Sequence, residues 1–260
     1  MTILMDTTLI IIHKTLKNQK NRYNCITHIY HYIYICTAIC YIYFIPQTMN
    51  TLEKMTAEKL LRIKAIKLQP SNPFTWASGW KSPIYCDNRK LFSYPAIRNF
   101  VKIELSRLAM EKYPDADAVA GVATGAITPG ALVADALGLP FVYVRATPKD
   151  HGLENLIEGD LRPGQKVVVI EDLISTGGSS LKAVEALRKN GSEVVGMVAI
   201  FTYDFAVANQ RFKDANVRLL TLSNYNAVVE EALNISYIAE NEVETLKEWR
   251  RDPAKWGIGK

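Results

Sequence analysis

The chain has 260 residues, 48% of them hydrophobic, and a formal net charge of +5. That length and apolar share suffice to bury a full core as one large domain or two small ones, and Lys and Arg interspersed with acids form no basic stripe, so no nucleic-acid partner is expected. Cys25, Cys36 and Cys40 fall close to the N-terminus and Cys86 stands alone after them, which is no disulfide framework and fits a reducing, cytoplasmic setting.

Residues 1–48 hold eleven Ile and six Tyr but no Gly, Val, Ser, Trp or Glu. Three readings compete. Ile29–Ile45 is an apolar run preceded by Lys14, Lys17, Lys20 and Arg22, which resembles a membrane anchor but is short for one and rich in Tyr. His28, His31, Cys36 and Cys40 offer zinc-ligating types at a spacing that matches no standard pattern. The preferred reading is that this segment stands outside the working protein, because Ile, Tyr, Asn, Lys and Thr are what AT-rich untranslated sequence yields when read as codons. The domain is then expected to span 49–260, with no membrane partner.

From Met49 the composition is that of a globular protein. Asn50 and Glu53 have capping-box spacing, and Leu52, Met55, Leu60, Ile63 and Ile66 form an apolar stripe, which predicts a helix from about Thr51 to Ile66. The stretch that follows is rich in Pro, Ser, Gly and aromatics and has no clear period, so a hood of loops and short strands is expected over about 67–95. Five apolar runs come next: Ala118–Val122, Phe141–Val144, Val167–Ile170, Val194–Phe201 and Val217–Leu222. Separated mostly by helical patterns, they predict an α/β core over about 96–235. Its five parallel strands should be covered on both faces, with ligands bound beyond their carboxyl ends. A C-terminal helix is expected at about 240–252, and no internal repeat is visible.

The stretch VVVIEDLISTGGSS, Val167–Ser180, carries the chemistry. An apolar strand delivers Glu171 and Asp172 to its carboxyl edge, and the chain then turns through Ser175, Thr176, Gly177, Gly178 and Ser179 into a helix. Backbone N–H groups of a Gly-rich turn at a helix N-terminus bind phosphate, and small hydroxyls add donors without blocking the approach. Carboxylates beside such a cradle would repel the anion unless they face ribose hydroxyls or Mg²⁺. A phosphorylated ribose meets both requirements. The bland alternative is a capped turn with no ligand, but strand, acid pair and cradle stand in unbroken order. The chain has neither G-x-x-x-x-G-K-[ST] nor a G-x-G-x-x-G after a strand.

This ordered string resembles the phosphoribosyl diphosphate signature of the type I phosphoribosyltransferases, a family whose fold is a five-stranded parallel sheet with a small hood. FTWASGWKSPIYCDNR (Phe74–Arg89) and VRATPKDHGLENLIEG (Val144–Gly159) narrow the resemblance to the orotate phosphoribosyltransferases. It covers about Thr51 to Trp256 and none of residues 1–48.

The resemblance implies roles for particular residues. Arg145, Lys149 and His151 match a mobile catalytic loop that grips the diphosphate, and Thr124 and Gly125 match a short diphosphate-binding loop. Glu171, Asp172, Leu173 and Ile174 with the 175–179 turn match the site for 5-phosphoribosyl 1-diphosphate. Ser175 matches the hydroxyl set against orotate, and Lys81, Tyr85 and Arg89 of the hood should cover the base. The chain departs from the pattern in three places. Ala146 stands where many relatives carry a second Lys, Ala77 where some carry a hood Lys, and the Arg that some carry after the next strand has no counterpart in the sequence near Tyr203. Implied too are Mg²⁺ held mainly through the donor with no direct metal ligand, and a homodimer with shared active sites. The implied reaction makes orotidine 5-monophosphate and diphosphate for UMP synthesis. A purine-type phosphoribosyltransferase and a non-catalytic regulator that binds the donor are the alternatives; the orotate-like hood argues against the first, and the loop argues against the second.

Overall fold

The computed structural model describes residues 49–76, 79–147 and 156–257. The readings placed on residues 1–48, and Ala77, Lys149 and His151, therefore lie outside the described residues.

Helix α1 spans Met49–Arg62, four residues short of the expected end. It stops because Lys64 takes a left-handed backbone, φ 55°, and the amides of Lys64 and Ala65 turn back onto the carbonyls of Leu61 and Leu60, closing the helix as a C-terminal cap does. Ile66 consequently leaves the helical stripe and opens β1, Ile66–Leu68, fully buried. β1 pairs antiparallel with β4, Ile84–Cys86. Between them β2, Phe74–Thr75, pairs with β3, Lys81–Ser82. A 3₁₀ helix, Asn88–Ser93, completes the hood.

Pro95 then starts α2, Pro95–Lys112, from the first helical position, where its missing N–H costs nothing. The core follows as β5 (Ala118–Val122), α3 (Ile127–Leu137), β6 (Phe141–Val144), β7 (Ile157–Glu158), β8 (Lys166–Ile174), α4 (Gly178–Lys189), β9 (Glu193–Thr202), α5 (Ala206–Asp214) and β10 (Leu219–Asn224). Helices α6, Tyr225–Asn234, and α7, Glu240–Arg251, close the chain.

The sheet order is β10-β9-β8-β5-β6-β7. All five expected strands are present and parallel, but the sheet has six strands, not five. The sixth, β7, runs antiparallel at the edge against β6. Two residues carry no period, so nothing in the sequence announces it. β8 is also longer than Val167–Ile170: it stays paired with β9 through Glu171 opposite Ala199 and Ile174 opposite Thr202, so the acid pair sits within the strand. β10 lies two residues later than expected.

Alternation along these strands feeds two cores. Val168 and Ile170 pack on one face with Leu105, Leu108 and Val228, whereas Val167 and Val169 pack on the other with Val184, Leu187 and Phe212. Burial on both faces is why the strand reads as an unbroken apolar run. The chain leaves β5 towards β6 and β8 towards β9, in opposite directions along the sheet. A crevice therefore opens at the carboxyl ends of the adjacent strands β5 and β8, the switch point where ligands bind in this class of sheet.

Candidate active site

A cavity of about 290 Å³ occupies that crevice, lined by Val122 to Gly125 after β5 and, on the β8 side, by Glu171 to Leu173 and Ser175 to Ser179. The structure thus brings together Thr124, Gly125, Glu171, Asp172, Leu173, Ser175, Thr176, Gly177, Gly178 and Ser179. Ile174 is fully buried and belongs to the core; its carbonyl accepts from the Tyr203 amide at 3.0 Å.

The cradle has a physical basis in its two helices. Gly177 caps α4 with φ 78°, a conformation that glycine adopts without steric cost, and a Cβ there would lie 3.0 Å from the Phe212 ring of α5. α4 begins at the next residue, so its free amides and positive dipole end face the cavity. Arg211 of α5 donates from Nη1 to the Thr176 carbonyl at 3.0 Å, bracing the turn from outside.

The two acids differ. Glu171 is 4% exposed; its Oε2 accepts from the Ser180 hydroxyl at 2.8 Å and its Oε1 from the Asp172 amide at 2.9 Å. Burial first, and the adjacent Asp172 charge second, push the Glu171 carboxyl well above the ordinary carboxylate range. Asp172 is half-buried and stands against Gly125, where any Cβ would collide with its carboxylate. Glycine at 125 is thus what lets Asp172 reach into the crevice. The hood is tied to this strand by Asn88, which is 1% exposed and donates from Nδ2 to the Asp172 carbonyl at 2.6 Å.

Arg145 lines a neighbouring cavity of about 530 Å³ with Ala146, Leu156 and Lys182, and this space shares Val122, Ala123, Gly178 and Ser179 with the first. Its guanidinium lies 3.5 Å from Glu158, and its amide donates to the Leu156 carbonyl, so β7 holds the two stems of the loop together. The hood residues are placed differently. Lys81 donates to Thr75 Oγ1 at 2.9 Å, Tyr85 packs on Phe74 and Arg89 pairs with Asp87 at 2.7 Å; none of the three lines either cavity. Among the described residues no group of three or more His, Cys, Asp or Glu could hold a metal by itself.

Asn88, Ser180 and Arg211 were not singled out individually by sequence reasoning. Ser180 and Asn88 lie in the quoted stretches, where nothing distinguishes their inward roles, and Arg211 is an ordinary basic residue on an exposed helix face.

The arrangement suits one anion at the helix N-terminus and hydroxyls at the acid pair. The family model for the phosphoribosyl transferase domain matches residues 96–235. The chain is 70% identical over 212 residues to an orotate phosphoribosyltransferase of Bacteroides fragilis, covering 82% of this chain and 100% of that one. Among solved structures it resembles the orotate phosphoribosyltransferase of Aeropyrum pernix, with 29% identity, a TM-score of 0.63, and 71% of this chain and 100% of that one covered. It also resembles the Mycobacterium tuberculosis orotate phosphoribosyltransferase in complex with 5-phospho-alpha-D-ribosyl 1-diphosphate, with 26% identity, a TM-score of 0.53, and 68% and 98% covered. The domain match, the 70% identity over the whole length of that relative and the shared fold coincide: the chain has the type I phosphoribosyltransferase fold and belongs to the orotate phosphoribosyltransferase family.

Proposed function

We propose that the protein transfers the 5-phosphoribosyl group from 5-phosphoribosyl 1-diphosphate to N1 of orotate, releasing diphosphate and orotidine 5-monophosphate for pyrimidine synthesis. The observation that carries this reading is the single crevice in which Asp172 faces Gly125 beside the Gly-rich start of α4. The 175–179 turn takes the 5-phosphate on backbone amides, and Asp172, with Glu171 behind it, takes the ribose hydroxyls. Thr124 and Gly125 meet the diphosphate, with Arg145, Lys149 and His151 closing over it. Ser175 stands in the crevice on the side left for the base, and Lys81, Tyr85 and Arg89 of the hood, which line neither cavity, are assigned to cover it from above.

As the C1–O bond lengthens, positive charge develops on the sugar and negative charge on the departing diphosphate. Catalysis is then positioning plus electrostatic stabilisation, with no covalent enzyme intermediate. The donor set fits Mg²⁺, which is commonly bound by one or two carboxylates together with substrate phosphates. It would be held mainly through the donor's diphosphate and ribose oxygens, with no direct ligand from the chain, and would neutralise diphosphate charge.

The same reading assigns a cytoplasmic homodimer whose catalytic loop serves the neighbouring site, and leaves residues 1–48 without a part in turnover. Among the described residues no helix is long and apolar enough to cross a membrane. A competition assay separates this reading from a purine transferase. Orotate should be consumed in the presence of excess adenine, whereas preferential ribosylation of adenine would refute the assignment.

A further inference from the structure

Two hydrogen bonds join helix α7 to the hood, and the tail after it passes close by. Trp249, fully buried, donates from Nε1 to the Lys81 carbonyl of β3 at 3.2 Å. The Ser71 hydroxyl donates to Glu242 at 3.2 Å, and a Cβ at Gly257 would sit 3.3 Å from the Lys81 side chain. The neighbouring residue on the helix grips the opposite wall. Arg250 donates to the Tyr203 carbonyl at 3.4 Å and to the Asp204 carbonyl at 2.8 Å, and it pairs with the Asp204 carboxylate. This is the turn that follows β9.

Between these grips lies a continuous aromatic cluster. Trp249 packs on Trp76 of the hood at 5.7 Å between ring centroids, on Tyr203 at 5.9 Å and on Phe205 at 5.6 Å, while Trp76 also meets Tyr203 at 5.4 Å. Two consecutive residues of one helix therefore fix how far β3 stands from the carboxyl end of β9. Rings at these separations pack as a solid, so a shift of α7 moves both walls.

We propose that Trp249 is a positioning residue for the acceptor: by holding the Lys81 backbone against the end of β9, it sets the fit of the hood over the base without touching the donor site. This rests on the phosphoribosyl-transfer reading above. The donor's groups, from Thr124 to Ser179, are carried by β5, β8 and α4, and Trp249 contacts none of them in the hydrogen bonds and ring contacts described. Loosening the bracket should therefore weaken orotate and spare the donor.

The test is Trp249→Phe, which keeps an aromatic ring and removes the N–H. The Michaelis constant for orotate should rise about fivefold, the worth of one net hydrogen bond, while that for the donor stays within about twofold. Tyr225→Phe is the control for a merely structural role. Its hydroxyl donates to the Leu246 carbonyl of the same helix at 2.9 Å but does not reach the hood, so it should lower stability and leave both constants alone. Should Trp249→Phe fail to fold, Arg250→Met, at a partly exposed position, carries the same expectation. An unchanged orotate constant, an equal rise in both constants, or the same orotate shift in Tyr225→Phe would overturn the inference. Absence of orotate turnover in the unmodified chain would instead overturn the functional reading, and this inference with it.

Discussion

The Ser180 hydroxyl donates to Glu171 at 2.8 Å, joining the first turn of α4 to the strand that carries the acid pair. Glu171 is therefore held from the helix side, and its raised pKa has a consequence for stability. A carboxyl that binds its proton more tightly folded than unfolded contributes stability below its ordinary 4.5 and loses it as pH rises through the folded value. Glu171→Gln removes that titration. The unfolding free energy of the unmodified protein, measured in urea, should fall relative to Glu171→Gln as pH is raised above about 4.5. A difference that is flat with pH would contradict it.

The approach of Gly125 to Asp172 gives a second prediction. Gly125→Ala pushes away the end of a flexible carboxylate, not a backbone, so the fold should survive while Asp172 is displaced. Asp172→Asn removes the charge in place. Both should lower kcat/KM by about 10- to 100-fold, the range of a charged hydrogen bond, with melting temperatures near that of the unmodified chain. Full activity in Gly125→Ala would show that Asp172 does not act from this position.

Loop sharing is tested by mixing two strongly impaired proteins. Lys149→Ala disables the loop that a chain lends, and Asp172→Asn the site that it keeps. Random reassortment makes about half the dimers mixed, each with one intact site, so about one quarter of the unmodified activity should return. No recovery after confirmed exchange would mean that each loop serves its own chain.

Residues 49–260 are as many as the 212 aligned with the Bacteroides fragilis relative. A chain starting at Met49 should accordingly be soluble and as active as the full one. Pelleting of the full chain with membranes, together with lost activity on truncation, would assign residues 1–48 a working role.

What the sequence made legible was what is contiguous in it. Val167–Ser180 holds strand, acid pair, turn and helix start in order, and the five apolar runs are long enough to betray a two-faced sheet. What stayed hidden is non-local or stereochemical. Asn88 meets Asp172 across 84 residues and Trp249 meets Lys81 across 168, and neither end of these pairs carries a pattern. The left-handed Lys64 ends α1 without the Gly or Asn that usually announces such a turn. Glu171 and Asp172 look equivalent as letters, and only packing separates the buried one from the one in the crevice.

The most direct test of the central claim is the loss of orotate absorbance on mixing the protein with orotate, 5-phosphoribosyl 1-diphosphate and Mg²⁺. The expected result is Mg²⁺-dependent, donor-dependent turnover that yields orotidine 5-monophosphate and an equal amount of diphosphate and is strongly reduced in Asp172→Asn. Folded protein that binds the donor yet leaves the orotate absorbance unchanged would contradict it.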